Sequence, residues 1–249
     1  MKIRLILLGA LVGGLLTMAL TGILYFANQL LGLPFVPYDL FNWITRVLPG
    51  TLVTFGIDTM IDIMRLLGVN VAETAKTAER ASAILQFIAL GTFFGAAYFA
   101  LMSWRRSSGE HLAGLVAGAL FGLPLAAISL AISQSNRSPI ISLVWIIIMF
   151  LIWGWALNYA YARLVSLSTP SSEETRIVMR QDRRRFLIQL GASTAVITVV
   201  GAGLGSILKR REEQRLQQET TDDMAHNSEP GAESPFPNAN DPVVPVPDT

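Results

Sequence analysis

Five stretches of this chain are long and apolar enough to cross a hydrocarbon core, and nothing else in the sequence limits the fold as strongly. They lie at Leu5–Ala27, Ala83–Met102, Leu112–Ile132, Pro139–Ala162 and Phe186–Leu208. A spanning helix needs roughly 20 residues. In lipid, every backbone polar group must be satisfied within the protein, which leaves helices and closed barrels. These runs lack the alternation of barrel strands. The expected fold is therefore an all-α integral membrane protein, a five-helix transmembrane bundle. Composition agrees: 52% of residues are hydrophobic, 15% are charged, and mean hydropathy is +0.48. A soluble domain carries about a quarter charged residues.

The same composition excludes several chemistries. There is no cysteine, so disulfides, thiolate metal sites, Fe–S clusters and a cysteine nucleophile are ruled out. The two histidines, His111 and His226, fall in a short polar loop and a polar tail, not paired within apolar spans as axial haem ligands are. Gly201-Ala-Gly203-Leu-Gly205 superficially resembles a dinucleotide loop, but it lies inside an apolar run with no preceding strand. No paired carboxylates, no Ser/His pair and no metal cluster stand out, so the expected catalytic, cofactor-binding and metal residues are none. No nucleic-acid partner is expected.

Basic residues set the orientation, because Lys and Arg accumulate on short cytoplasmic segments. With the N-terminus inside, Lys2, Arg4, Arg105 and Arg106 are cytoplasmic. So is the group Arg163, Arg176, Arg180, Arg183, Arg184 and Arg185. The first outer loop then holds Arg46, Arg65, Lys76 and Arg80 against Asp39, Asp58, Asp62, Glu73 and Glu79. Lys209-Arg210-Arg211 fall on the outer side, offset by Glu212 and Glu213. The expected topology is N-in, C-out.

That outer loop has its own pattern. Pro34 and Pro37 are expected to break the chain. Leu40, Phe41, Ile44, Val47 and Leu48 then make one helical stripe within Asp39–Leu48, with Trp43 for the interface. Beyond Pro49-Gly50, Val53, Ile57, Met60, Ile61, Met64 and Leu67 make a second, opposite Asp58, Asp62 and Arg65. These predict two outer amphipathic helices at 39–67 lying on the leaflet, with a membrane-crossing hairpin as the alternative. Asp58, Asp62 and Arg65 are expected on a solvated face. A new helix is expected from Asn70, with Glu73 in its first turn.

Four spans carry Gly-xxx-Gly: Gly9/Gly13, Gly91/Gly95, Gly114/Gly118/Gly122 and Gly201/Gly205. Small residues four apart let helix backbones approach closely in lipid. The fourth span lacks the motif. Its Trp145, Trp153, Trp155, Tyr159 and Tyr161 are expected to form an aromatic belt, and Asn158 to hydrogen-bond between helices.

Immediately before the fifth span stands Asp182-Arg183-Arg184-Arg185-Phe186-Leu187-Ile188. Paired arginines, then Phe-Leu, then a weakly hydrophobic Gly/Ala-rich segment form the pattern of a twin-arginine export signal, so Arg183, Arg184, Arg185, Phe186 and Leu187 are its candidate residues. The alternative is ordinary positive charge flanking a span. Lys209–Glu219 is expected to prolong the fifth span. From Thr220 the chain is polar, acidic and rich in proline. Residues 209–249 hold six of the twelve prolines, and a disordered Pro-rich C-terminal tail is expected. The resulting divisions are 1–165, a four-span bundle; 166–208, a basic cytoplasmic segment with the signal and fifth span; and 209–249, an extracytoplasmic linker. A signal followed by a bare linker reads as a fragment whose cargo lies downstream or on another chain.

The combination resembles the membrane-anchored sulfite-oxidase-like molybdopterin oxidoreductases. The matching stretches are Leu40–Gly50, Thr54–Met60, Arg183–Leu187 and Asp241–Pro247. The resemblance implies a bacterial plasma-membrane protein that meets the lipid bilayer, the twin-arginine export machinery, and a molybdopterin domain in cis or in trans. That family ligates molybdenum with a cysteine, and this chain has none. The expected function is thus a membrane anchor and export region, with the catalytic domain absent from this chain. The alternatives are a quinone-interacting subunit of a redox complex, or a transporter subunit. Against the last stand the lack of an inverted repeat and the near absence of intramembrane charge.

Overall fold

The computed structural model describes residues 2–51, 54, 58, 59, 62, 71–105, 111–132, 138–166 and 173–226. Among these, all regular structure is helical: α1 (Lys2–Leu31), α2 (Val36–Val47), α3 (Val71–Arg105), α4 (His111–Ile132), α5 (Pro139–Ser166) and α6 (Glu173–His226). Five segments are long and apolar enough to span: Ile3–Leu31, Glu79–Trp104, Leu112–Ile132, Pro139–Ser166 and Arg184–Ile207. The helices outrun the apolar runs because nothing in the flanking charged sequence breaks them.

Glycine pairing joins neighbouring helices. A Cβ on Gly13 would sit 2.5 Å from the Gly91 carbonyl oxygen, and one on Gly9 would sit 2.7 Å from that of Gly95. The numbers run in opposite directions, so α1 and α3 are antiparallel. Gly114, Gly118 and Gly122 of α4 meet Gly154 and Phe150 of α5 in the same way. The fourth span therefore has a packing glycine after all. It needs one, because its partner supplies the row of three. Phe121 joins the two pairs: its ring lies 4.5 Å from Phe94 of α3, and 5.0 Å and 4.9 Å from Phe150 and Trp153 of α5. Aromatic pairs at such separations add to simple burial.

α6 joins through α1. A Cβ on Gly22 would meet the Thr198 Cα at 2.8 Å, and one on Gly201 would meet the Gly22 carbonyl oxygen at 2.5 Å. Gly205 lies against Tyr25 and Gln29. Here the numbers rise together, so the two spans run parallel. Only 11% of the α6 span is buried, against 28–33% of the other four.

The aromatic belt of the fourth span is only half present. Trp155 and Tyr159 are exposed, but Trp153 and Tyr161 are buried in the core, because the buried stripe of α5 runs through Ile146, Phe150, Trp153, Leu157 and Leu164. Two loop expectations also need correction. His111 opens α4 rather than lying in a loop. α6 continues to His226, past the expected limit at Glu219, since neither proline nor glycine occurs before Pro230. The chain forms two compact units, Met1–Gly205 and Ser206–Thr249. Within the second, 206–226 is helical, with Arg210, Arg211 and Arg215 exposed. Residues 227–249, with the Pro-rich tail, lie outside the described residues.

Candidate functional site

Two features bear on function, one at each end of the bundle. The first is the end where α1 and α6 begin, α3 and α5 finish, and α4 starts. Antiparallel packing within the pairs and parallel packing of α1 with α6 bring Arg4, Arg163, Arg184 and Arg185 to this same end. Arg184 and Arg185 are exposed, while Phe186, Leu187 and Leu190 are half-buried against the core. A helix turns about 100° per residue, so Arg-Arg and Phe-Leu at successive positions divide between an outer and an inner face. Arg183 is helical, and its side chain lies outside the described residues. Just inside this end, the Tyr98 hydroxyl donates to Asn158 Oδ1 at 2.8 Å, the interhelical hydrogen bond expected of Asn158.

The opposite end holds what the sequence pattern missed. Gly32, at φ +64°, ends α1, and its N–H donates to the Asn28 carbonyl at 3.0 Å. The Asn28 side chain donates to the Leu33 carbonyl at 2.7 Å, which turns the chain back. Pro37 does not break a helix here. It lies in the first turn of α2, where a missing N–H costs nothing and the fixed φ helps. α2 therefore starts three residues before Asp39. It does not simply lie on the surface: Val36, Pro37, Asp39 and Leu40 are buried, while Trp43, Val47 and Leu48 are exposed. Tyr25, Phe35 and Tyr38 form a chain of edge-on rings at 5.8 Å and 4.5 Å.

Asp39 is the charge that a count of loop residues treats as solvated. It is 8% exposed, and the Ser129 hydroxyl of α4 donates to its Oδ2. Burial pushes its carboxyl up from 3.8 to about 6, with the Ser129 hydrogen bond pulling the other way. Tyr38 is also raised by burial, opposed by the Arg80 guanidinium. Glu79 and Arg80 themselves are exposed. On α5, Ser142 Oγ and Trp145 Nε1 are buried without a hydrogen-bond partner among the described residues. Their spacing of three residues puts them on neighbouring parts of one face. No sequence pattern marked Asp39, which stands off the stripe of Leu40, Phe41, Ile44, Val47 and Leu48.

Asp58 and Asp62 are exposed, as a solvated face requires; Arg65 and most of the second amphipathic segment lie outside the described residues. Among the described residues no group of three or more His, Cys, Asp or Glu could hold a metal ion. The chain has no cysteine, the molybdenum ligand that the resemblance implies. Comparison with protein families, with characterised proteins and with solved structures finds no match.

Proposed function

We propose that the chain is the membrane anchor and export region of an extracytoplasmic molybdopterin-dependent oxidoreductase in a bacterial plasma membrane. It lies N-in and C-out, with the catalytic domain joined through the tail or carried by a partner chain. The observation that carries the reading is the end of the bundle that gathers Arg4, Arg163, Arg184 and Arg185. Positive residues of this kind face the cytoplasm, where a twin-arginine signal is read. The span that follows them is the least buried of the five, which suits a helix that an export machine must take up and release. Reporter fusions test the orientation. An enzyme active only outside the cytoplasm should be active after Thr249 and silent at Ser107–Ser108. The reverse pattern contradicts the five-span anchor.

A second reading, a quinone-interacting subunit, is favoured by the unpartnered Ser142 Oγ and Trp145 Nε1. A quinone carbonyl accepts such donors. A photoreactive short-chain quinone should then label the α5 segment around Trp145, and labelling should fall in Ser142→Ala. Equal labelling in both chains removes this reading.

A further inference from the structure

We propose that α2 is a proton-linked latch, held onto α4 by the Asp39–Ser129 hydrogen bond while Asp39 is protonated and loosened when it ionises. The latch does not depend on what the chain anchors. α2 is only twelve residues long; its buried residues gather at its start, and Ile44 is half-buried against the core. Its first turn is buried through Val36, Pro37, Asp39 and Leu40, and its last turn, Arg46 and Val47, is exposed. A helix this short has little stability of its own, so its position depends on what its first turn docks against.

The centre of that seat is a carboxyl group. Among the described residues the hydrogen-bond partner of the Asp39 side chain is Ser129, a residue 90 positions away on α4. A hydroxyl satisfies either form of a carboxyl, but it cannot neutralise an ion. Among the described residues, the elements packed against it place no cation beside Asp39; the side chains of Arg65, Lys76 and Arg137 lie outside them. α4 has no Asp, Glu, Lys or Arg anywhere along its length, and its one titratable residue, His111, stands at the far end. α5 presents Ser142 and Trp145 near its start. α1 presents Tyr25, Asn28 and Gln29, its basic residues Lys2 and Arg4 being at the other end. On α3, Glu79 and Arg80 are exposed and act on Tyr38. On α2 itself, Tyr38 is raised by burial and Arg46 is exposed in the last turn. A buried carboxylate without a cation is costly, and the group responds by binding a proton. The proton then lies between Asp39 and Ser129, and the seat is neutral.

The docked carboxyl titrates above its solvated value, so docking is strongest below the solvated value. It weakens as pH rises through the interval from 3.8 to about 6, and it is constant above that. A separation of about two units corresponds to a docking constant that changes by up to about 100-fold across the interval. On an acidified face of the membrane the latch is closed; near neutrality it is loosened. Because Phe35 and Tyr38 continue the ring chain from Tyr25, and Tyr25 touches Gly205, release of α2 removes support from the end of the α6 span.

Hydrogen–deuterium exchange of the full chain in lipid nanodiscs tests this, with rates corrected for the intrinsic pH dependence of exchange. In the wild type, protection of the α2 amides should be tens-fold greater at pH 4 than at pH 7, with α4 and α5 amides unchanged. Asp39→Asn should keep α2 protected at both pH values. Wild-type protection that is equal at pH 4 and pH 7 overturns the latch, as does a pH dependence that survives in Asp39→Asn. Should Asp39→Asn fail to assemble, seen as lost protection in α4 and α5, Ser129→Ala decides. It must lower α2 protection at pH 4, and unchanged protection there overturns the proposal.

Discussion

Trp153 of α5 donates its indole N–H to Thr17 Oγ1 of α1 at 3.1 Å, across 136 positions of sequence and wholly inside the bundle. Thr17 in turn donates to the Gly13 carbonyl at 2.7 Å and lies against Gly91 of α3. The hydroxyl thus bonds α1 to α5, beside α3, where the Gly13 and Gly91 backbones come close. The bond links the α1–α3 pair to the α4–α5 pair, beside the Phe121 ring cluster.

Thr17→Val should therefore destabilise the bundle by about 1–2 kcal/mol, since it leaves a buried indole N–H without a partner. Trp153→Phe should be worse, because it also removes packing volume. In the double variant the two losses should overlap by roughly 0.5–1.5 kcal/mol, the span of interhelical bonds in membranes and of hydrogen bonds generally. Thermal unfolding in one detergent, run as a double-mutant cycle, measures the overlap. Strict additivity would show that the bond contributes nothing.

Gly95→Leu should separate α1 from α3 and lower stability by about 1–3 kcal/mol or prevent assembly, as overpacking does. Gly203→Leu should change stability by less than about 0.5 kcal/mol, because a Cβ there meets nothing within 4 Å. Both glycines lie in Gly-rich spans, so the contrast separates close packing from composition. Comparable losses in the two variants would contradict the glycine contacts described above.

Asp39→Asn is expected to stabilise the protein at neutral pH. Below pH 3.8 the wild-type carboxyl is protonated docked or free, so the two chains should match. As pH rises through 3.8 to about 6, the wild type alone loses stability, and above that the deficit should stay near 2–3 kcal/mol. The readout is the difference in unfolding temperature between variant and wild type at pH 4 and pH 7.5. A destabilised variant at pH 7.5 would mean that Asp39 functions as an anion.

Ser142→Ala should be neutral or slightly stabilising, because its buried hydroxyl has no partner to lose. Ser129→Ala should destabilise, because it removes the one hydrogen bond to a buried carboxyl. The two serines are equally hidden, so the unfolding temperatures of the variants compare bonding and not burial. A larger loss from Ser142→Ala would point to a partner for that hydroxyl.

The five spans were legible because lipid solubility is written in composition and length, which tertiary contacts do not change. Gly9, Gly13, Gly91, Gly95, Gly114, Gly118 and Gly201 were legible as packing positions for a related reason: four-residue spacing is itself a backbone geometry. What pairs with what was not legible. Gly154 carries no motif and is recognised only by facing Gly114 and Gly118. Trp153 and Tyr161 resemble their exposed neighbours Trp155 and Tyr159 in type, and a shift of two residues along a helix changes the face. Pro37 was misread because the first turn of a helix is the one place where proline favours it. Asp39 was passed over because its burial depends on Ser129, 90 residues away, and no local pattern announces a contact at that distance.

Arg183-Arg184-Arg185 is proposed to be read as an export signal and not only to flank a span. The most direct measurement is protease accessibility, from outside the cell, of a domain that folds only in the cytoplasm, fused after Thr249. It should be compared among the wild type, Arg183→Lys with Arg184→Lys, and the triple variant that adds Arg185→Lys. Lysine keeps the charge that orients the helices but lacks the planar guanidinium fork. The domain should be accessible in the wild type and protected in the triple variant, with the first four spans inserted normally in both. The double variant should fall between them if Arg184-Arg185 serves as a shifted pair. Equal accessibility in all three chains would contradict an export signal, leaving the arginines as ordinary flanking charge.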